Sequence, residues 1–225
     1  MNKLNRKAWL GLVVLGGVMG LLLFLPAGTA QYWQAWIYLA VFFGASFLIT
    51  LYLMKKDPAL LQRRLKGGPV AEKEKTQKLI MFFTSLGFIA LLIVSALDFR
   101  FRWSSVPLYL VIAGDILTAL GFYIVFLVYR ENTFSSATIE VAPDQKVIST
   151  GPYAIVRHPM YTGGLLYLVG MPFALGSYWG LLVLAATIPF LMWRLFDEER
   201  FLAKNLPGYT EYCAKVRWRL IPGVF

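Results

Sequence analysis

Apolar residues in this chain fall into long blocks separated by short polar spacers, and the blocks set the expected architecture. Trp9 to Leu25, Trp33 to Met54 and Leu79 to Leu97 contain no Asp, Glu, Lys or Arg, and Val106 to Tyr129 contains one charge, Asp115. Each suffices to cross a hydrocarbon core of about 30 Å as a helix. Met160 to Trp193 is a further uncharged stretch of 34 residues. As one helix it would extend about 51 Å, so it has to double back. Pro172 and the Gly176-Ser177-Tyr178-Trp179-Gly180 segment mark the reversal. The pattern predicts an all-α polytopic membrane protein with about six transmembrane helices, the last two rather short and forming a tight helical hairpin. One membrane domain is expected over residues 1–225, with a four-helix part over 1–130 and a second part over 131–225 that holds a polar loop, the hairpin and a C-terminal helix.

Composition agrees with this reading. Hydrophobic residues make up 58% of the 225 and charged ones 15%, against about 25% charged in soluble domains. Lys3, Arg6 and Lys7 before the first block, with Ala27 and Ala30 after it, imitate a secretory signal. The second block follows at once, which favours a helical hairpin. Gly16 to Gly20 and Gly176 to Gly180 have small-xxx-small spacing and read as packing or turn positions. The single cysteine, Cys213, excludes an internal disulfide, and no CxxC or Cys/His cluster suggests a metal.

Charge placement adds orientation. Of the 22 Lys and Arg residues, only Arg100 and Arg102 fall in one set of loops, and the other twenty flank the opposite helix ends. By the positive-inside rule both termini are expected in the cytoplasm, of a multi-pass protein of the cell (inner) membrane. The net charge of +10 then expresses topology and attraction to anionic membrane lipids. No aromatic-basic pattern accompanies it, so no nucleic-acid partner is expected.

Candidate chemistry lies from Arg130 onward. The passage from Arg130 to Pro159 is polar and turn-rich, with Thr138 to Val141 and Lys146-Val147-Ile148 expected to be extended around a Pro143-Asp144-Gln145 turn. The X-Pro restriction puts His158, the chain's one histidine, just outside the next helix and Pro159 near its first position. A histidine there is either a headgroup-level residue bonded to backbone or part of a site for an anionic group at a helix N-terminus. Arg194 and Glu198 share a helix face four residues apart, as a headgroup ion pair or as a paired polar site at the mouth of a lipid-lined cavity. Asp115, near mid-membrane, has to be neutral or paired, and no partner for it is evident.

Taken together, Gly151-Pro152-Tyr153, Arg157-His158-Pro159-Met160-Tyr161-Thr162-Gly163, Arg194 with Glu198-Glu199, and Pro207-Gly208-Tyr209 with Tyr212 resemble the isoprenylcysteine carboxyl methyltransferase family and its wider group of membrane methyltransferases, which includes phospholipid methyltransferases. The resemblance spans roughly Glu131 to Pro222 and makes 131–225 the catalytic part. It implies an enzyme that uses S-adenosyl-L-methionine, held by the loop and hairpin rather than by a dinucleotide-type fold; no GxGxxG occurs. It places cofactor contacts on Gln145, Lys146, Val147, Ile148, Tyr153, His158, Pro159, Met160, Tyr161 and Glu198, with a further one near Thr138. It makes Arg194 the substrate-side residue, with Arg194 and Glu198 as the catalytic pair and no metal. The implied acceptor is a lipophilic small molecule or lipid, as in isoprenylcysteine carboxyl O-methylation. Phospholipid N-methylation at an ethanolamine headgroup and small-thiol S-methylation are the alternatives, and a non-catalytic transporter is the remote one.

Overall fold

The computed structural model is all-helical over the residues it describes, 2–68, 70–72 and 74–225. Helices α1 (Lys3–Ala27) and α2 (Trp33–Lys56) form the first hairpin, and the short α3 (Pro58–Arg64) follows. Next come α4 (Lys75–Phe101), α5 (Leu108–Glu131), α6 (Pro159–Ala174), α7 (Trp179–Asn205) and a short α8 (Tyr209–Lys215). α1, α2, α4, α5 and α7 are long and apolar enough to cross a membrane. α6, at 16 residues, is about 24 Å long and is the short sixth member. The expectation of a second short helix does not hold for α7, whose 27 residues carry Arg194 and Glu198 within the helix rather than at its end. Leucines, valines and aromatics that face outward on α1, α2, α4 and α5 are the lipid-facing surface that such a bundle requires.

Glycines decide how the hairpin sits. A Cβ on Gly114 would lie 2.6 Å from the Gly170 carbonyl oxygen, and one on Gly121 would lie 2.6 Å from that of Gly163. α5 and α6 therefore meet backbone to backbone, which only glycine permits. Gly87 of α4 instead receives a side chain, that of Thr187 of α7. α6 thus packs along α5, and α7 along α4, and the two arms touch each other far less. The reversal itself is tight, as expected: Gly176 takes a left-handed φ of 71°, and the Ser177 hydroxyl donates to Asp98 at 2.5 Å while accepting from the Gly180 N–H at 3.0 Å. Asp98 also accepts from the Ser104 N–H at 2.7 Å, and Tyr32 donates to the Leu175 carbonyl at 2.5 Å. The arms are pinned together at this end and diverge toward the other, where the basic loops lie.

Candidate active site

Between the diverging arms, at the basic end, is a cavity of about 440 Å³, within the range of roughly 300–1,000 Å³ typical of small-molecule sites. Its wall on one side is the loop of residues 132–158. That loop has the expected turn, with the Gln145 N–H donating to the Ala142 carbonyl at 3.0 Å and the Gln145 side chain accepting from the Ala142 N–H at 3.0 Å. The chain bends over 137–139, so the expected extended run 138–141 is interrupted there, and among the described residues no strand occurs in 138–141, in 146–148 or elsewhere. Two arginines of α3 hold the loop instead, Arg63 through the Thr133 carbonyl at 2.5 Å and Arg64 through that of Ser136 at 2.8 Å.

Gln145, Lys146, Val147, Ile148, Tyr153, His158, Pro159, Met160, Tyr161, Arg194 and Glu198 all line this one cavity, as does Thr138. His158 caps α6 from outside, with Pro159 at the first helical position, as the X-Pro restriction predicts. The Met160 and Tyr161 N–H groups belong to the first turn of α6, where no intrahelical carbonyl is available, and both residues line the cavity beside the positive end of the helix. The Tyr161 hydroxyl donates to Glu198 Oε2 at 2.6 Å. Tyr153 accepts from Asn132 Nδ2 at 2.9 Å, and burial pushes its phenol up to about 12.

Glu199, one position beyond Glu198, organises the back of the site. Its Oε1 accepts from Arg157 Nη1 at 2.9 Å and lies 3.2 Å from His158 Nε2; its Oε2 accepts from Arg219 Nε at 2.9 Å. The C-terminal segment runs beside the entry to α6, the Arg157 and His158 N–H groups donating to the Trp218 and Arg219 carbonyls at 2.9 Å each. His158 is therefore bound both through its ring and through its backbone. Arg194 does not pair with Glu198 in an ordinary headgroup bridge. Its Nη2 donates to Glu72 Oε1 at 2.7 Å and to the Ala137 carbonyl at 3.1 Å, and its Nη1 donates to Gln77 Oε1 at 2.9 Å. Gln77 in turn donates to Asp197. Glu72, Gln77 and Asp197 have no local sequence signal, since the contacts join the start of α4 and the segment before it to the C-terminal half of α7, far away in the chain.

The cavity continues from Arg194 and Tyr161 into the bundle, where Phe42, Phe122, Tyr167, Leu168 and Leu191 line it. Polar and apolar halves meet at the Arg194-Tyr161-Glu198 triangle. Within the wall, the hydroxyls of Thr84 and Tyr209 are buried without a hydrogen-bond partner. Tyr209 belongs to the Pro207-Gly208-Tyr209 motif and was legible there. Deeper in the bundle the Asp115 Oδ1 and the Tyr38 hydroxyl are likewise unpartnered. Among the described residues no cluster of His, Cys, Asp and Glu has the makings of a metal site. Burial pushes the Cys213 thiol up, which keeps it neutral and a poor nucleophile.

An all-helical membrane bundle with a cavity that is polar toward the basic loops and apolar toward the bundle interior suits an enzyme that brings a polar and an apolar reactant together. Comparison with known proteins gives the class of reaction. Residues 109–207 match the phospholipid methyltransferase family model. Probable protein-S-isoprenylcysteine O-methyltransferases of Oryza sativa subsp. indica and subsp. japonica are each 28% identical over 195 residues, covering 81% of this chain and 93% of the relative. By these similarities the chain is an integral membrane methyltransferase, and it resembles both phospholipid and isoprenylcysteine methyltransferases.

Proposed function

We propose that the protein methylates the carboxylate of a lipophilic, prenylcysteine-like acceptor, with S-adenosyl-L-methionine as donor. The observation that carries this reading is the position of Arg194, a buried guanidinium at the point where the polar cavity turns into its apolar arm. A carboxylate on an isoprenoid-sized chain matches that junction, head on the arginine and tail among Phe42, Phe122, Leu168 and Leu191. The relatives named for isoprenylcysteine O-methylation support the same acceptor.

The residues present fit the donor. The N-terminus of α6 suits its carboxylate, Glu198 suits its ammonium or ribose hydroxyls, and the unpartnered Tyr209 hydroxyl supplies a buried group that a bound ligand would satisfy. The loop backbone from Gln145 to Ile148, with Tyr153, His158, Pro159 and Met160, forms the rest of that wall. When bound, the donor supplies an electrophilic methyl on a sulfonium. Tyr161 and Glu198 would hold the donor and Arg194 the acceptor in the same cavity, and displacement at carbon demands that the two be fixed against each other. Opposite charges on the two reactants cancel as the methyl moves, so the water-poor cavity favours the reaction over the separated ions. A carboxylate needs no general base.

The phospholipid family model supports a second reading, transfer to an ethanolamine headgroup. An amine acceptor must lose a proton first, and beside Arg194 it would meet a cation. Both termini and the cavity mouth face the cytoplasm in our reading, where the donor is made, and residues 1–225 act as one membrane domain. Site roles are separable by substitution. Glu198→Ala should raise the donor Kd about tenfold or more, the loss of one charge-assisted hydrogen bond, and Arg194→Gln should leave the donor Kd within twofold while raising the acceptor KM. Equal effects of the two substitutions on both ligands would refute the division.

A further inference from the structure

Arg194 already holds a carboxylate. Glu72, from the segment that precedes α4, has a side chain 1% exposed, and its Oε1 accepts from Nη2 at 2.7 Å. The other Nη2 proton goes to the Ala137 carbonyl, and Nη1 donates to Gln77. Nη1 and Nη2, which form one of the two guanidinium edges able to bind a carboxylate two-pronged, are therefore both donating along this fork in this structure. Its occupants differ in kind. Gln77 is neutral, and because Asp197 can only accept, the Gln77 amide must turn its nitrogen to Asp197 and its oxygen to Arg194. That tether keeps the arginine aimed whichever anion it carries. Glu72 is charged, and with Arg194 it makes a buried pair of zero net charge.

Resting on the proposed carboxylate acceptor, we infer that Glu72 is a resident counter-ion that competes with the acceptor carboxylate for Arg194, and so sets how strongly the site discriminates the acid from its methyl ester. A second carboxylate cannot join the pair cheaply: it would add a negative charge to a dry site that already holds Glu72 and Glu198. The acceptor has to take the place of Glu72 on the fork. Methylation then removes the acceptor's charge: the carboxylate oxygen gains the methyl, the carbon–sulfur bond breaks, and the sulfonium becomes a neutral thioether. The ester has no claim on the guanidinium, and Glu72 takes it back. The device makes acid binding weaker than an unpartnered arginine would give, and makes the neutral product easy to displace.

The test uses full-length protein in nanodiscs and compares binding of farnesylated N-acetylcysteine with that of its methyl ester. Glu72→Gln keeps the shape of the side chain and removes the competing charge. It should tighten acid binding about tenfold, the equivalent of one charge-assisted hydrogen bond, with ester and donor affinities within twofold of wild type. Acid affinity that is unchanged or weaker overturns the inference. Where Glu72→Gln also loses donor binding, and so has lost the fold, Glu72→Asp decides: its shortened arm should give a smaller gain for the acid alone, and no gain overturns the proposal. Failure of the parent reading has a different signature, wild-type protein that transfers label to no prenylcysteine, so the two are read separately.

Discussion

Alanine at Gly121 should disable the enzyme from outside its cavity. The added methyl carbon would stand 2.6 Å from the Gly163 carbonyl oxygen and 2.7 Å from the Tyr167 nitrogen, against 3.4 Å for ordinary contact, and every nearest atom except one is backbone. No side chain can swing away, so α6 has to retreat from α5 by roughly 0.8 Å. Overpacking of this kind costs about 1–3 kcal/mol. The same displacement moves His158 and Tyr161, which ride on the first turn of α6, and a shift approaching 1 Å at reacting groups costs on the order of 10²-fold in rate. We expect a lowered midpoint in thermal unfolding followed by tryptophan fluorescence, together with a fall of ten- to a hundredfold in kcat/KM. Gly17→Ala is the control, since nothing lies within 4 Å of its added carbon. Gly121→Ala matching Gly17→Ala in both measurements would refute the close-packing account of how α6 is placed.

Two further substitutions probe the site directly. Tyr161→Phe removes the hydroxyl that donates to Glu198 at 2.6 Å; loss of that charge-assisted bond should cost about 1.5–3 kcal/mol, read as at least a tenfold rise in donor Kd by equilibrium binding, and an unchanged Kd would show that the triangle does not position the donor. Glu199→Gln breaks a carboxylate shared by Arg157, His158 and Arg219; Arg219 is one-third open to solvent, so the cost should fall to about 2–3 kcal/mol, below the roughly 3–5 kcal/mol of a fully buried pair. Limited proteolysis checks it, since the C-terminal segment should become cleavable near Trp218 in the variant and stay protected in wild type.

Much of this arrangement was written in local sequence. The uncharged blocks gave the long helices because the bilayer tolerates no unpaired backbone, the proline after His158 marked the α6 boundary, and Pro143-Asp144 marked the turn that presents Gln145. Where the sequence was silent, the reasons are physical. Gly114 with Gly121 and Gly163 with Gly170 recur at seven residues, two helical turns, whereas a search at four finds Gly16 with Gly20, where an added carbon on Gly20 would meet nothing within 4 Å, and Gly176 with Gly180 at the reversal. The divergence of α6 from α7 follows from those glycines and not from the turn between the two helices. The partner of Arg194 was illegible because Glu72 lies 122 positions away, and Glu198, the neighbour on its own face, was the natural candidate. Glu199 was visible within its motif, but its grip on Arg157, His158 and Arg219 depends on the C-terminal segment folding back beside Arg157.

The central claim, methyl transfer to a carboxylate carried on an apolar chain, is most directly tested by the chemistry of the product. Purified protein in nanodiscs that contain phosphatidylethanolamine is given methyl-labelled S-adenosyl-L-methionine and farnesylated N-acetylcysteine, and the extracted label is treated with mild base. The account predicts organic-phase label released as volatile methanol, the mark of a methyl ester. Label that resists base and migrates with the phospholipid headgroup would contradict it.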